Sequence, residues 1–165
     1  MSSLMKSVII FYSFSGNTKA VAAILAAALR DKGEVDTIEL KPLDETSSFI
    51  GQCRRAFKKV RAKLENVNFD VSQYDLVCIG TPLWAFAPTP AINTYLDNCN
   101  GIAGKETIIF TTRGSGAGNK RCLDYMEELL LKKGAKRVRR FSIQQLKCKD
   151  REFVLKEIGK VVGGE

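Results

Sequence analysis

Apolar runs of strand length alternate with amphipathic segments of helix length along the whole chain. The apolar runs occupy residues 7–12, 74–80 and 106–111, whereas residues 35–40 alternate apolar with polar side chains and residues 136–143 carry several cations. Apolar side chains three or four residues apart predict the helices. These are expected at residues 17–32, at 48–66, from the Thr89-Pro90 pair to Cys99, from Cys122 to Gly134, and at 150–162.

This alternation predicts an α/β fold, with a parallel sheet between two layers of helices and one domain over residues 1–165. Strands buried on both faces are almost continuously apolar, and edge strands carry polar residues. The first, third and fourth strands are apolar, which predicts a three-layer, doubly wound, five-stranded sheet of order 2-1-3-4-5. Ligands of such sheets bind where the strand order reverses, which here is beside the loops that follow the first and third strands.

The predicted helix at 48–66 combines an apolar face with a strong positive charge. Ile50, Cys53, Phe57, Val60 and Leu64 form the apolar face. The other faces carry the cations Arg54, Arg55, Lys58, Lys59, Arg61 and Lys63. They contribute to a formal net charge of +8 and a pI near 9.3.

Composition excludes several kinds of chemistry. The chain has no histidine, which excludes catalysis by Ser-His-Asp or Cys-His groups. Its five cysteines are scattered and form no C-x-x-C pair, so neither a disulfide framework nor a metal site is expected. We expect them to be small buried side chains, and any reaction to depend on a cofactor.

The sequence also gives expectations about location. No segment approaches the roughly 20 apolar residues of a membrane-spanning helix, so we expect no membrane insertion. The first residues lack the apolar core and cleavage site of a secretion signal. The expected location is therefore cytoplasmic.

Three loops at predicted strand ends carry candidate chemistry. The first, residues 13–18, combines hydroxyls, a glycine and a helix N-terminus, and can hold a phosphate through neutral donors. The second, residues 80–90, contains the single tryptophan, Trp84, which could cover a flat ring. The third, residues 111–119, has three glycines, so its backbone can approach a ligand closely.

The segments SFSGNTK and GTPLWAFAPTPAINTYL resemble the phosphate loop and the second loop of flavodoxins. The resemblance spans essentially the whole chain and implies the flavodoxin-like fold with non-covalently bound FMN. It places the phosphate on the first loop and the isoalloxazine ring between the other two, with Trp84 on or beside the ring and no protein residue acting as catalyst. The implied FMN-binding residues are Ser13, Phe14, Ser15, Gly16, Asn17, Thr18, Thr81, Pro82, Leu83, Trp84, Ala85, Phe86, Thr111, Thr112, Arg113, Gly114, Gly116 and Gly118.

Three departures from flavodoxins bear on the redox role. Carrier flavodoxins are typically acidic, whereas this chain is basic. It therefore either has an acidic redox partner protein or is not an electron shuttle. Alternatively, its cations lie on solvated faces away from the flavin. The third loop lacks the aromatic that covers the outer flavin face, which leaves room for NAD(P)H or a quinone. The second loop has no glycine between Thr81 and Pro90, and Ala85 and Phe86 tolerate positive φ less well than glycine does, which favours two-electron chemistry.

Several functions remain open at this point. The leading prediction is an FMN-dependent oxidoreductase, with Arg113 favouring the reduced anionic flavin, or a one-electron carrier. A non-redox module that binds another phosphorylated ligand at the same loops is the alternative. No nucleic-acid motif accompanies the basic residues, so we expect no nucleic-acid partner. The protein is expected to be a monomer or a homodimer.

Overall fold

The computed structural model describes residues 3–45, 48–58 and 60–163. The strands within these residues form one parallel sheet: β1 (Met5–Phe11), β2 (Gly33–Glu39), β3 (Leu76–Pro82), β4 (Glu106–Arg113) and β5 (Arg137–Gln144). Their order is β2-β1-β3-β4-β5, which confirms the prediction.

Helices cover both faces of the sheet. They are α1 (Asn17–Arg30), α2 (Phe49–Phe57), α3 (Pro90–Asn98), α4 (Asn119–Lys132) and α5 (Arg151–Val162). Apolar side chains of α1 and α5 pack in one core cluster, and those of α2, α3 and α4 pack in the other. The sheet separates the two clusters, which is the expected three-layer arrangement.

Burial along the strands explains why the strand order could be predicted. Every residue of the central strand β3 is buried, because helices cover it on both faces. The edge strands differ: β2 has no buried residue, and β5 buries only Phe141 and Ile143. Polar side chains in β2 and β5 therefore remain in contact with water.

The predicted helix at 48–66 is the largest departure from the sequence prediction. Only Phe49–Phe57 is helical, and only part of the predicted apolar face packs on the core. Cys53 and Leu64 pack against it, whereas Ile50 is 81% exposed and Phe57 is 61% exposed. The helix instead buries Gln52 and Ala56. An ion pair of Arg55 with Asp44, at 3.0 Å, joins another face of α2 to the segment after β2.

Contacts with α3 explain why α2 ends early. Ala62 donates its N–H to the Thr94 hydroxyl at 2.8 Å, and that hydroxyl donates to the Ala62 carbonyl at 2.9 Å. Arg61 is hydrogen-bonded to Asp97. These contacts replace the helical hydrogen bonds that the apolar spacing alone would predict. Lys59, in the predicted basic face, lies outside the described residues.

Two further expectations concern the cysteines and membrane insertion. Cys78, Cys99, Cys122 and Cys148 are buried, as predicted, and Cys53 is partly buried. No helix in the described part of the chain has the length and apolar character needed to cross a bilayer.

Candidate functional site

The three predicted loops meet at the carboxyl edge of the sheet, where β1, β3 and β4 end. A hydrogen bond of 2.8 Å between the hydroxyls of Thr18 and Thr112 joins the first loop to the third. Both side chains are buried. The rings of Phe14 and Trp84, 5.5 Å apart in an edge-to-face contact, join the first loop to the second. The structure therefore brings together three segments that are distant in the sequence.

The first loop leads into the N-terminus of α1 through Gly16, which has a φ of +90°. The Ser13 hydroxyl accepts the N–H of Lys19 at 3.2 Å, and the Asn17 amide donates to the Ser15 hydroxyl at 3.2 Å. The earliest N–H groups of a helix have no partner within the helix. Apart from Gly16 and its two chain neighbours, no described atom lies within 4 Å of a methyl group built on Gly16, so there is open space beside this N-terminus.

The second loop contains a two-residue β-hairpin turn. Trp84 and Ala87 exchange backbone hydrogen bonds of 3.2 and 3.0 Å across it. The central residues, Ala85 and Phe86, have φ values of +45° and +67°, as in a type I′ turn. Both residues already have the positive φ that non-glycine residues tolerate poorly. The lack of glycine in this part of the loop is therefore no longer an argument for two-electron chemistry.

Trp84 differs from its prediction in its surroundings. The sequence predicted that Trp84 could cover a flat ring, but Trp84 is 5% exposed and belongs to the core cluster. The rings of Tyr12, Phe14 and Phe49 contact it edge-on at 5.6, 5.5 and 6.0 Å. Local sequence pattern does not predict these contacts, because Tyr12 and Phe14 follow β1 and Phe49 begins α2, both far from Trp84 in the sequence.

Buried hydroxyls fix the second and third loops. Thr81 accepts the N–H of Thr89 at 3.1 Å, which ties together the two ends of the second loop. Thr111 donates to the side chain of Asn119 at 2.5 Å, which holds the start of α4 to the end of β4. Thr81 and Thr111 are fully buried, so their side chains position the loops.

The third loop is in contact with the side chains of Arg113 and Phe86. The Arg113 Nε donates to the Ser142 hydroxyl at 3.1 Å, and its guanidinium packs against Gly116. Gly118 has a φ of +77°, and the Phe86 ring lies where a Cβ on Gly118 would be. The second and third loops are therefore in direct contact.

A cavity of about 400 Å³ opens between the second and third loops. Its lining includes the predicted residues Leu83, Trp84, Ala85, Phe86, Gly114 and Gly116, together with Ser115 and Ala117. The other predicted residues do not line the cavity. Residues 13–18 form the phosphate-loop candidate, and Arg113 is half-buried. Gly118 contacts Phe86, and the remaining residues are buried: Thr81, Pro82, Thr111 and Thr112.

Sequence reasoning missed three lining residues of this cavity. They are Phe49 and Cys53, from α2, and Gln145, from the turn after β5. Burial raises the pKa of the Cys53 thiol, so the wall carries a neutral thiol at this position. The apolar spacing around Cys53 predicted a helix that faces the core. In the structure, Phe49 and Cys53 of this helix line the cavity.

Comparisons with known proteins agree with this architecture. A family model described as Flavodoxin matches residues 6–135 of the 165-residue chain. A search of curated proteins finds no significant match.

Similar solved structures cover nearly the whole chain. They include a flavoprotein in complex with FMN from Lactobacillus acidophilus, with 22% identity, coverage of 90% of this chain and 99% of that chain, and a TM-score of 0.61. Oxidised Flavodoxin 2 from Bacillus cereus has 20% identity, covers 92% and 98%, and has a TM-score of 0.60. An NADH:FMN oxidoreductase in its apo form has 17% identity, covers 95% and 86%, and has a TM-score of 0.68. The solved structures share the fold, and the match over residues 6–135 shows that this chain belongs to the flavodoxin family.

Proposed function

We propose that this protein binds FMN non-covalently and passes electrons from a reduced donor to a small-molecule or protein acceptor. The observation that carries the proposal is the cavity of about 400 Å³ between the second and third loops, whose wall residue Phe49 contacts Phe14 of the first loop at 6.0 Å between ring centroids. Its volume lies in the range of roughly 300–1,000 Å³ that small-molecule sites occupy. This arrangement supports a proposal in which the first loop holds an anion and the cavity holds a flat ring.

The phosphate of FMN would lie at the first loop. Unpaired N–H groups and the partial positive charge of a helix N-terminus attract anions. The open space at Gly16 leaves room for the phosphate, and the side chains of Ser15 and Asn17 supply further donors. The first loop therefore needs no cation to hold a dianion.

The isoalloxazine ring would lie between the hairpin turn at Ala85 and Phe86 and the small residues 114–117. Phe49 is 54% exposed on the same cavity wall. Phe49 would cover a ring face that the third loop leaves bare. Trp84 would support Phe49 edge-on from the core side.

FMN supplies electron and hydride transfer when bound, so the absence of histidine from the chain is no obstacle. The protein has to bind and orient the ring and to exclude water from part of it. Arg113, held by Ser142 under the third loop, would place positive charge near the ring and favour its reduced anionic form.

Absorption spectroscopy of the purified protein, before and after addition of FMN, tests the proposal. We expect the yellow bands of bound flavin to remain with the protein after gel filtration. The proposal fails if the protein takes up no flavin at a several-fold excess of FMN.

A matched pair of glycine variants locates the phosphate. Gly16→Ala and Gly104→Ala each place a methyl group at positive φ, +90° and +77°, with no described atom within 4 Å. Their backbone costs should be similar, but only Gly16→Ala projects a methyl into the proposed phosphate site. We expect Gly16→Ala to weaken FMN binding about tenfold or more, which is about 1.4 kcal/mol, and Gly104→Ala to leave it unchanged. Equal affinities for the two variants would contradict the assignment.

The non-redox alternative is tested with riboflavin, which lacks the phosphate, and with ribose 5-phosphate, which lacks the ring. If the cavity binds the ring, FMN should bind far more tightly than either riboflavin or ribose 5-phosphate. Binding of ribose 5-phosphate as tight as that of FMN would favour a module for other phosphorylated ligands.

The electron donor is tested on the FMN-loaded protein without oxygen. Because one similar structure is an NADH:FMN oxidoreductase, NADH and NADPH are the first donors to examine. Rapid bleaching of the flavin bands by one nucleotide would identify a reductase. Bands that persist until a reduced protein is added would identify a carrier.

A further inference from the structure

The exposed face of α2 is apolar at its centre. Phe49, Ile50 and Phe57 are 54%, 81% and 61% exposed. Exposed apolar side chains that occur singly are ordinary, but these three lie on one side of a nine-residue helix. Contiguous apolar surface on a soluble protein marks an interaction site.

Positive charge surrounds this apolar centre. Residues 46–64 contain six lysines and arginines and no aspartate or glutamate. Two of these cations are paired within the molecule, Arg55 with Asp44 and Arg61 with Asp97. Arg54 and Lys58 are exposed and form no ion pair with any described residue. We call Phe49, Ile50, Arg54, Phe57 and Lys58 the α2 surface.

The α2 surface adjoins the candidate cofactor cavity. Phe49 lines the cavity, and so does Cys53, one turn further along the helix. A macromolecule bound to the α2 surface would therefore lie at the cavity mouth. An apolar centre with aromatic side chains and arginine, bordered by charge, is the composition of a protein–protein interface.

Charge decides which occupant fits. A second copy of this chain, docked by the same surface, would bring two sets of cations together, and like charges at an interface are unfavourable. A helix that lies on a membrane buries its apolar face in lipid, whereas the Phe49 ring of α2 contacts Phe14 and Trp84 within the molecule. A partner with carboxylates around a small apolar patch complements both the sign and the size of the α2 surface.

We propose that the α2 surface is the docking site for an acidic electron-transfer protein. The identity of the partner as an electron-transfer protein rests on the proposed function, since its place at the cavity mouth matters only if the cavity holds FMN. Electrostatic attraction would steer the partner, and Ile50 and Phe57 would form the desolvated centre of the complex.

The test uses an acidic [2Fe–2S] ferredoxin as the probe, with binding to the full-length protein measured by interferometry. We expect the affinity to fall about tenfold or more as NaCl rises from about 20 to about 300 mM, because salt screens exposed charges. The double variant Arg54→Ala/Lys58→Ala should weaken binding about tenfold at low salt. Its matched control, Arg30→Ala/Lys156→Ala, removes the same two residue types from exposed positions on α1 and α5 and should change affinity less than about twofold.

A second pair of variants tests the apolar centre. Ile50→Ser/Phe57→Ser should weaken ferredoxin binding about tenfold, whereas Leu4→Ser, at a residue 73% exposed before β1, should not. FMN absorbance of every variant, measured in parallel, shows whether the fold and cofactor site are intact. If the protein takes up no FMN, the proposed function fails, and the binding data still report on docking.

Three results would overturn the proposal. One is that the wild-type protein does not bind ferredoxin, or binds it with no dependence on salt or on Arg54 and Lys58. Another is that Ile50→Ser/Phe57→Ser dissociates a homodimer in sedimentation velocity. The third is that the same variants abolish binding to phosphatidylserine vesicles while ferredoxin binding is unchanged.

Discussion

Gly118→Ala tests the contact between the second and third loops. Gly118 has a φ of +77°, and its added methyl would lie 1.7 Å from Cδ1 of Phe86. The left-handed backbone costs a residue with a side chain roughly 1–2 kcal/mol. Alanine also lowers the conformational entropy of the unfolded chain, which stabilises the folded state by about 0.4–1 kcal/mol. The net backbone cost of the substitution is therefore about 1 kcal/mol.

The clash adds a second cost. Phe86 must move, and it is 43% exposed, so a little over half of its surface is buried. Full burial of such a side chain contributes roughly 1.5–3 kcal/mol, and losing about half of that costs about 1 kcal/mol. We therefore expect Gly118→Ala to lower the free energy of unfolding by about 2 kcal/mol. Gly104→Ala is the control, because it has the same φ of +77° and no described neighbour within 4 Å, and it should cost only about 1 kcal/mol.

Urea denaturation followed by circular dichroism measures these differences. A double-mutant cycle then isolates the contact: Phe86→Ala alone should cost about 1 kcal/mol, and Gly118→Ala/Phe86→Ala about 2 kcal/mol rather than the sum of about 3 kcal/mol. Additive effects, or equal effects of Gly118→Ala and Gly104→Ala, would refute the reasoning that the Phe86 ring depends on the missing side chain of Gly118.

Three further changes have expected outcomes. Ala85→Gly should raise the free energy of unfolding by up to about 1 kcal/mol in urea denaturation, because φ at Ala85 is +45°; a loss of stability would contradict strain in the turn. Thr18→Val or Thr112→Val alone should cost about 1–2 kcal/mol in the same assay because each leaves a buried hydroxyl without its partner, and the double variant should cost less than the sum. Burial and a hydrogen bond to Asp36 raise the pKa of Tyr74 to about 12. The folded state therefore binds this proton more tightly than the unfolded state does. The stabilisation that Tyr74 contributes should be fully present below pH 10 and be lost as the pH rises through 12. In thermal unfolding, Tyr74→Phe should lose less stability than wild type over this pH range.

The fold could be predicted because the burial of each strand is reflected in its apolar and polar residues. β3 is continuously apolar and β2 is not, and that difference alone distinguishes the centre of the sheet from its edge. The site loops follow from the same information, since ligands of such sheets bind at the carboxyl ends of the strands at the switch point. Helix spacing placed α1 and α5 to within about two residues for the same reason: their apolar faces do pack on the sheet.

The errors arise where contacts between distant segments outweigh local pattern. Nothing near Val60 reveals that Thr94 will hold the backbone of Ala62, so the helix predicted to reach residue 66 ends at Phe57. The Trp84 ring likewise packs against Phe49 of α2. The apolar spacing of that helix did not predict this contact. Periodicity records which side chains share a face, but it does not record whether that face meets the core or water.

The uneven burial of the thiols has a practical consequence. Of the five cysteines, all of which lie in the described ranges, only Cys53 is partly accessible, and it sits on the cavity wall. A maleimide dye or spin label added to the unmodified sequence should therefore attach at one position. Burial raises the pKa of Cys53, so labelling will proceed faster in mildly alkaline buffer than at neutral pH. The molecule thus carries a native attachment point from which ligand entry can be followed without any engineered cysteine.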